Sequence, residues 1–97
     1  MAQVVYSARS LEHIAGALEV MRETTPAASR PAAAAIGSAV ASLGAHPLLG
    51  RRVEGELREL VISRGQTGFI ALYRFAVLQD EVQVLAIRRQ QDLGFVP

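Results

Sequence analysis

The sequence predicts an α+β domain with elements in the order β-α-α-β-β-β, a helix hairpin packed on an antiparallel sheet. Three observations carry this. Apolar residues recur at helical spacing only in the first half of the chain. A proline-bearing break, TTPAASRP, divides that half into two segments. The second half holds three runs rich in aromatic and branched residues, separated by short turn sequences.

The opening run from Gln3 to Tyr6 is a short β-like segment. Ser7 follows as a helix cap, because its hydroxyl can accept from an unpaired N–H of the first turn. Leu11, Ile14, Leu18 and Met21 then form an apolar stripe, with Arg9, Glu12, Glu19 and Arg22 on other faces. After the break, Ile36, Val40 and Leu43 form a second stripe on an alanine background. Pro26 and Pro31 are both candidates for its first turn, and Gly44 is its expected terminator.

The segment HPLLGRRVEG reads as a connector. ELRELVIS, FIALYRFAVL and VQVLAIR read as three consecutive antiparallel strands, joined by RGQTG and QDE, with the N-terminal strand in the same sheet. In the middle strand Phe69, Ala71, Tyr73 and Phe75 share one face, and Ile70, Leu72 and Arg74 the other. Both faces are mostly apolar. One is expected against the helices. The second is covered either by the C-terminal segment or by a partner, because a free monomer rarely leaves such a face wet.

Composition limits the function. The 97 residues fit one domain, 1–97, and 51% apolar against 20% charged residues fit a packed core. There is no cysteine, hence no disulfide and no thiolate metal site. No secretory signal or membrane span is visible, so the chain is expected to be soluble and cytoplasmic. Net charge is only +1, too small a field to draw the whole chain onto nucleic acid. All ten basic residues are arginine. Genome base composition can produce this by itself. Any anion contact here is still made by a guanidinium fork, and no lysine is present as a tunable base. No histidine or carboxylate set has metal-ligand spacing, and no glycine-rich loop precedes a helix, so neither a metal nor a cofactor is expected.

The blocks HPLLGRRVEGELRELVI, GFIALYRF and VQVLAIRRQ, in this order after an opening β-run and SARSLEHI, resemble toxins of the RelE/ParE superfamily. The distinctive features are proline before Gly50-Arg51, then Leu57-Arg58-Glu59-Leu60, then Tyr73-Arg74, then a basic strand end. The resemblance implies a toxin encoded beside its antitoxin. The antitoxin is expected to carry a DNA-binding part, ribbon-helix-helix or similar, and a flexible tail that wraps the toxin. Operator DNA is then met only through the antitoxin. RelE-like members cut messenger RNA on the ribosome, whereas ParE-like members poison DNA gyrase. The Pro-x-x-Gly-Arg and Leu-Arg-Glu-Leu blocks place this chain closer to the ParE side.

The two activities ask different things of the residues. Cleaving RNA through its 2′-hydroxyl needs a base, an acid and cations around the phosphate. Arg58, Arg74, Arg88 and Arg89 are available as cations along the sheet. The proton-transfer partners are poor. Phe95 has no hydroxyl, and Arg89 stands where relatives often carry histidine but keeps its proton at physiological pH. Tyr73 is placed for the core, and His13 and His46 read as surface or boundary residues. A gyrase poison needs only a binding surface, for which arginines and aromatics are common anchors. The candidates for target or antitoxin binding are therefore Arg51, Arg52, Arg58, Tyr73, Arg74, Arg88, Arg89 and Phe95, with no catalytic residue assigned. Each also has a structural role open to it. Arg58 can pair with Glu56 or Glu59, Arg74 can stack on an aromatic neighbour, Arg51-Arg52 can form a solvated turn, and Phe95 can plug the core edge. A RelE-like nuclease and a non-toxic module that only binds antitoxin remain as alternatives.

Overall fold

A computed structural model describes residues 1–63 and 68–90. Strand β1 (Gln3–Tyr6) leads into helix α1 (Ala8–Thr24) and helix α2 (Pro26–Ala41). Strands β2 (Arg51–Glu54), β3 (Leu57–Ile62), β4 (Phe69–Ala76) and β5 (Glu81–Arg89) follow. They form one five-stranded sheet in the order β1-β5-β4-β3-β2. The α+β class and the helix hairpin stand as expected. Two details differ. The sheet is mixed, because β1 runs parallel to β5 while the other pairs are antiparallel. The connector also supplies a strand of its own, since Arg51–Glu54 pairs with the start of β3.

Local chemistry explains the helices. Ser7 caps α1: its Oγ accepts from Ser10 N–H at 3.0 Å and its own O–H donates to Leu85 C=O at 3.1 Å. The cap thus also ties the helix start to the sheet. A single residue, Thr25, separates the helices, and its N–H closes α1 on Met21 C=O at 2.8 Å. Pro26 holds the first position of α2, where its missing N–H costs nothing, and Pro31 lies further along the same helix. The break in the sequence is therefore one residue long, and both prolines belong to α2. A 3-10 turn, Ser42–Gly44, ends the hairpin. Gly44 lets the chain start come close: its C=O accepts from Ala2 N–H at 2.8 Å, and a Cβ there would lie 3.0 Å from Ala2 O.

Met21, Ile36, Val40 and Leu43 pack against Leu60, Ile62, Phe69, Ala71, Tyr73, Val82, Val84 and Ile87 to form the core. Leu11 departs from its expected stripe and is 52% exposed, because the helix meets the sheet through Ile14, Ala17, Leu18 and Met21. Strand β5 carries a bulge, since Leu72 pairs Ala86 while Tyr73 pairs Val84, leaving Leu85 as the extra residue. Alternation is reset there, which lets Val82, Val84 and Ile87 all face the helices. β1 ends opposite Val84. Beyond it the free edge of β5 is completed from α1, where His13 Nδ1 accepts from Ile87 N–H at 3.2 Å.

Two exposed helix positions are poorly chosen for stability. Gly16 in α1 and Gly37 in α2 have helical neighbours on both sides, and a Cβ at either would meet nothing within 4 Å. Gly16→Ala and Gly37→Ala are each expected to stabilise the fold by about 0.5–1 kcal/mol through lost backbone entropy in the unfolded chain. Chemical denaturation midpoints of the two variants check this. A lower midpoint would show that the helices bend at these glycines.

Candidate functional site: a buried tyrosine clamp and two arginine faces

Strand register divides the arginines. Arg58 pairs with Tyr73 and with Arg52, so those three side chains share the face turned toward the helices. Arg89 pairs with Phe69 and belongs to the same face. Arg51 pairs with Glu59, which pairs with Leu72, and Arg88 pairs with Ile70, so Arg51, Arg74 and Arg88 occupy the opposite face. The four cations expected along the sheet are therefore split between its faces, Arg58 and Arg89 toward the helices and Arg74 and Arg88 on the other side.

Tyr73 is fully buried at mid-sheet, as its strand position predicts. Its hydroxyl accepts from Gly50 N–H at 2.8 Å and donates to Pro47 C=O at 2.9 Å. Both lone functions of the phenol are thus spent on the connector. Burial pushes the phenol above its ordinary range, while the Gly50 N–H and the Arg58 guanidinium pull it back in part. Arg58 works beside it. Its Nη1 donates to Gly50 C=O at 2.9 Å and to Leu48 C=O at 3.3 Å, in place of the ion pair with Glu56 or Glu59 that its neighbours suggest. Arg58 and Tyr73 together clamp the segment from Pro47 to Gly50. Gly50 is what allows the clamp to close, because a Cβ there would lie 2.7 Å from both Glu59 O and Tyr73 Cε1.

The other arginines have different partners. Arg51 Nη2 pairs with Glu59 Oε1 at 3.0 Å, so it stands in a strand and not in a solvated turn. Arg52 Nε donates to Gly55 C=O at 2.8 Å across the β2–β3 turn. Arg74 does not stack on an aromatic. It is exposed, and its Nε donates to Gln83 Oε1 at 2.6 Å, with Gln83 Nε2 in turn on Glu81 Oε1 at 2.9 Å. Arg88 and Arg89 are half-buried, and Arg88 Nη1 donates to Arg89 C=O at 3.3 Å. Phe95 lies outside the described residues, as does the RGQT part of the first strand turn.

The arrangement supplies cations and hydrogen-bond donors on two faces. Its tyrosine is sealed inside, and His13 is occupied at Nδ1 by the backbone of β5. Sequence reading missed that role for His13. A polar residue one turn from the apolar stripe, facing the edge left by a short β1, was the signal available. Among the described residues no group of three histidine or acidic side chains could hold a metal ion, and no helix is long and apolar enough to cross a membrane.

The chain matches the family model for the ParE toxin of the type II toxin–antitoxin system parDE over residues 4–94. Among solved structures it is similar to a chain of the chromosomal ParDE toxin–antitoxin system from P. aeruginosa, with a TM-score of 0.74 and 24% identity. That match covers 92% of this chain and 96% of the other, and it shows a shared fold. No curated protein matches the sequence.

Proposed function

Because the chain belongs to the ParE toxin family of type II toxin–antitoxin systems, we propose that it is a toxin held inactive by a cognate antitoxin and that it inhibits DNA gyrase through a binding surface. On this reading it has no hydrolytic chemistry of its own, acts in the cytoplasm, and meets operator DNA only through the antitoxin. The family match across 4–94 is the observation that carries it. The site geometry supports the choice of gyrase over messenger RNA. A 2′-hydroxyl attack needs a free base and acid beside the cations. Here Tyr73 is committed to Pro47 and Gly50, and Glu59, beneath Arg51, is held in an ion pair. Arg74, by contrast, projects from the sheet with its guanidinium exposed, as an anchor for a protein partner should.

Inducing the protein alone in bacteria tests this. Filamentation with gyrase-dependent double-strand DNA breaks is expected, and co-induction of the antitoxin should suppress both. Arg74→Ala is expected to lower toxicity at an unchanged melting temperature. Translation arrest with cut transcripts would overturn the gyrase reading in favour of a ribosome-dependent nuclease. Normal growth would leave only an antitoxin-binding module.

A further inference from the structure

Strand β5 outruns its neighbour on the outer side of the sheet. β1 pairs with it only from Glu81 to Val84, so the stretch from Leu85 to Arg89 continues beyond the end of β1. A bare edge of this kind is a row of backbone donors and acceptors on which another strand can form. Three side chains occupy it instead. Ser7 Oγ–H donates to Leu85 C=O at 3.1 Å, His13 Nδ1 accepts from Ile87 N–H at 3.2 Å, and Arg88 Nη1 donates to Arg89 C=O at 3.3 Å. The bulge at Leu85 shifts the backbone alternation by one residue and turns Ile87 N–H toward α1. Ile87 is 4% exposed, and His13 is half-buried beside it.

Of the three, the serine hydroxyl and the guanidinium keep one protonation state in the physiological range, whereas imidazole takes up a proton between about pH 8 and about pH 5. A neutral imidazole that accepts at Nδ1 carries its single N–H on Nε2. The imidazolium carries an N–H at both nitrogens, so Nδ1–H would meet Ile87 N–H, donor against donor. The bond then cannot form, and a buried N–H has no acceptor until the edge parts and admits water. The charged groups around the contact leave this chemistry to the imidazole itself. On α1, Arg9 stands one turn before His13 and Glu12 beside it, both exposed. On β5, Arg89 lies on the helix side and Arg88 behind it, with Glu81 at the opposite end of the strand. α2 contributes exposed Arg30, and β1 the Tyr6 phenol.

We propose that His13 is a pH-operated latch between α1 and the overhanging end of β5. Neutral, it completes the strand edge; protonated, it releases Ile87 and lets the end that bears Arg88 and Arg89 part from the helix. The Ser7 bond to Leu85 does not titrate, so the opening is confined to the stretch beyond it. The contact is present while Nδ1 carries no hydrogen and is lost as pH falls. The latch follows from edge geometry and is independent of whether the chain inhibits gyrase.

Amide hydrogen exchange by NMR on the purified full chain tests this, read as protection factors at about pH 8 and about pH 5. Ile87 N–H of the wild type is expected to lose about tenfold or more in protection on acidification, while Tyr73 N–H at the sheet centre changes little. Both substitutions of His13 should abolish that response. His13→Asn places an amide oxygen close to the position of Nδ1 and should keep Ile87 protected at both pH values. His13→Ala should leave it weakly protected at both. Imidazole nitrogen shifts of the wild type should show the Nε2–H tautomer at the higher pH. An Nδ1–H tautomer there would overturn the latch, as would equal wild-type protection at the two pH values. A folded variant that still loses protection on acidification would assign the response to another group. Loss at Tyr73 together with Ile87 would mean global unfolding in place of a local opening, and would overturn the latch as well.

Discussion

Gly50→Ala is expected to destabilise the protein by about 3 kcal/mol or more, the cost of forcing a methyl into a closed site together with a displaced hydrogen bond. The new Cβ would stand 2.7 Å from Glu59 O, a backbone atom held in the β2–β3 ladder, and 2.7 Å from Tyr73 Cε1, in a ring with no exposed surface. Neither neighbour is the loose end of a flexible chain. Relief requires the connector to lift, and lifting it breaks the 2.8 Å bond from Gly50 N–H to the tyrosine hydroxyl and the 2.9 Å bond from Arg58 to Gly50 C=O. The same movement displaces Leu48 and the start of β2. Urea denaturation should show the loss. A Gly50→Ala variant as stable as the wild type would mean that the connector has room the structure does not show.

How much of this was legible in the sequence depends on whether the signal lay in side chains or in backbone groups. Strand β4 was readable because Phe69, Ile70, Leu72, Tyr73 and Phe75 are strong strand formers in one run. The stripe of α1 and the Ser7 cap were readable because helical spacing and capping chemistry are local. Strand β2 was not, since Arg51, Arg52, Val53 and Glu54 are all exposed and show no alternation; only their pairing to β3 makes them a strand. The bulge at Leu85 was equally hidden. It adds a residue to the ladder without any glycine or proline to announce it, and it decides which face each residue beyond it occupies.

The candidate site divides in the same way. Counting arginines named candidate residues. It could not assign them to faces, because that depends on register across three strands. Gly50 read as turn punctuation, whereas its requirement is close approach to a tyrosine 23 residues away in sequence. The partners of Arg58 are carbonyls of Leu48 and Gly50, and every residue carries a carbonyl, so composition offers nothing to match. The neighbouring glutamates drew the sequence reading toward an ion pair that the fold does not form.

Tyr73→Phe removes one oxygen and is expected to cost about 2–4 kcal/mol, because it strands two backbone groups at once. Gly50 N–H is buried and loses its acceptor, and Pro47 C=O loses its donor. The ring remains in the core, so the loss is not one of packing, and restoring volume elsewhere would not repair it. The variant also carries a signature in pH. The folded phenol is held above its ordinary value, so above about pH 10 the native state binds more protons at this group than the unfolded chain does. Stability from Tyr73 is therefore fully present below about pH 10 and declines as pH rises through the folded value. Tyr73→Phe should lower the denaturation midpoint at neutral pH and make its decline in alkali shallower. A residual slope remains from Tyr6, whose phenol burial also raises. Equal midpoints at neutral pH would mean that water replaces the hydroxyl between Pro47 and Gly50. An unchanged alkaline slope would place the titration on Tyr6 alone. A large neutral-pH loss with a shallower slope would identify the Tyr73 hydroxyl as the group that seats the connector, and with it the arginine-lined end of the molecule.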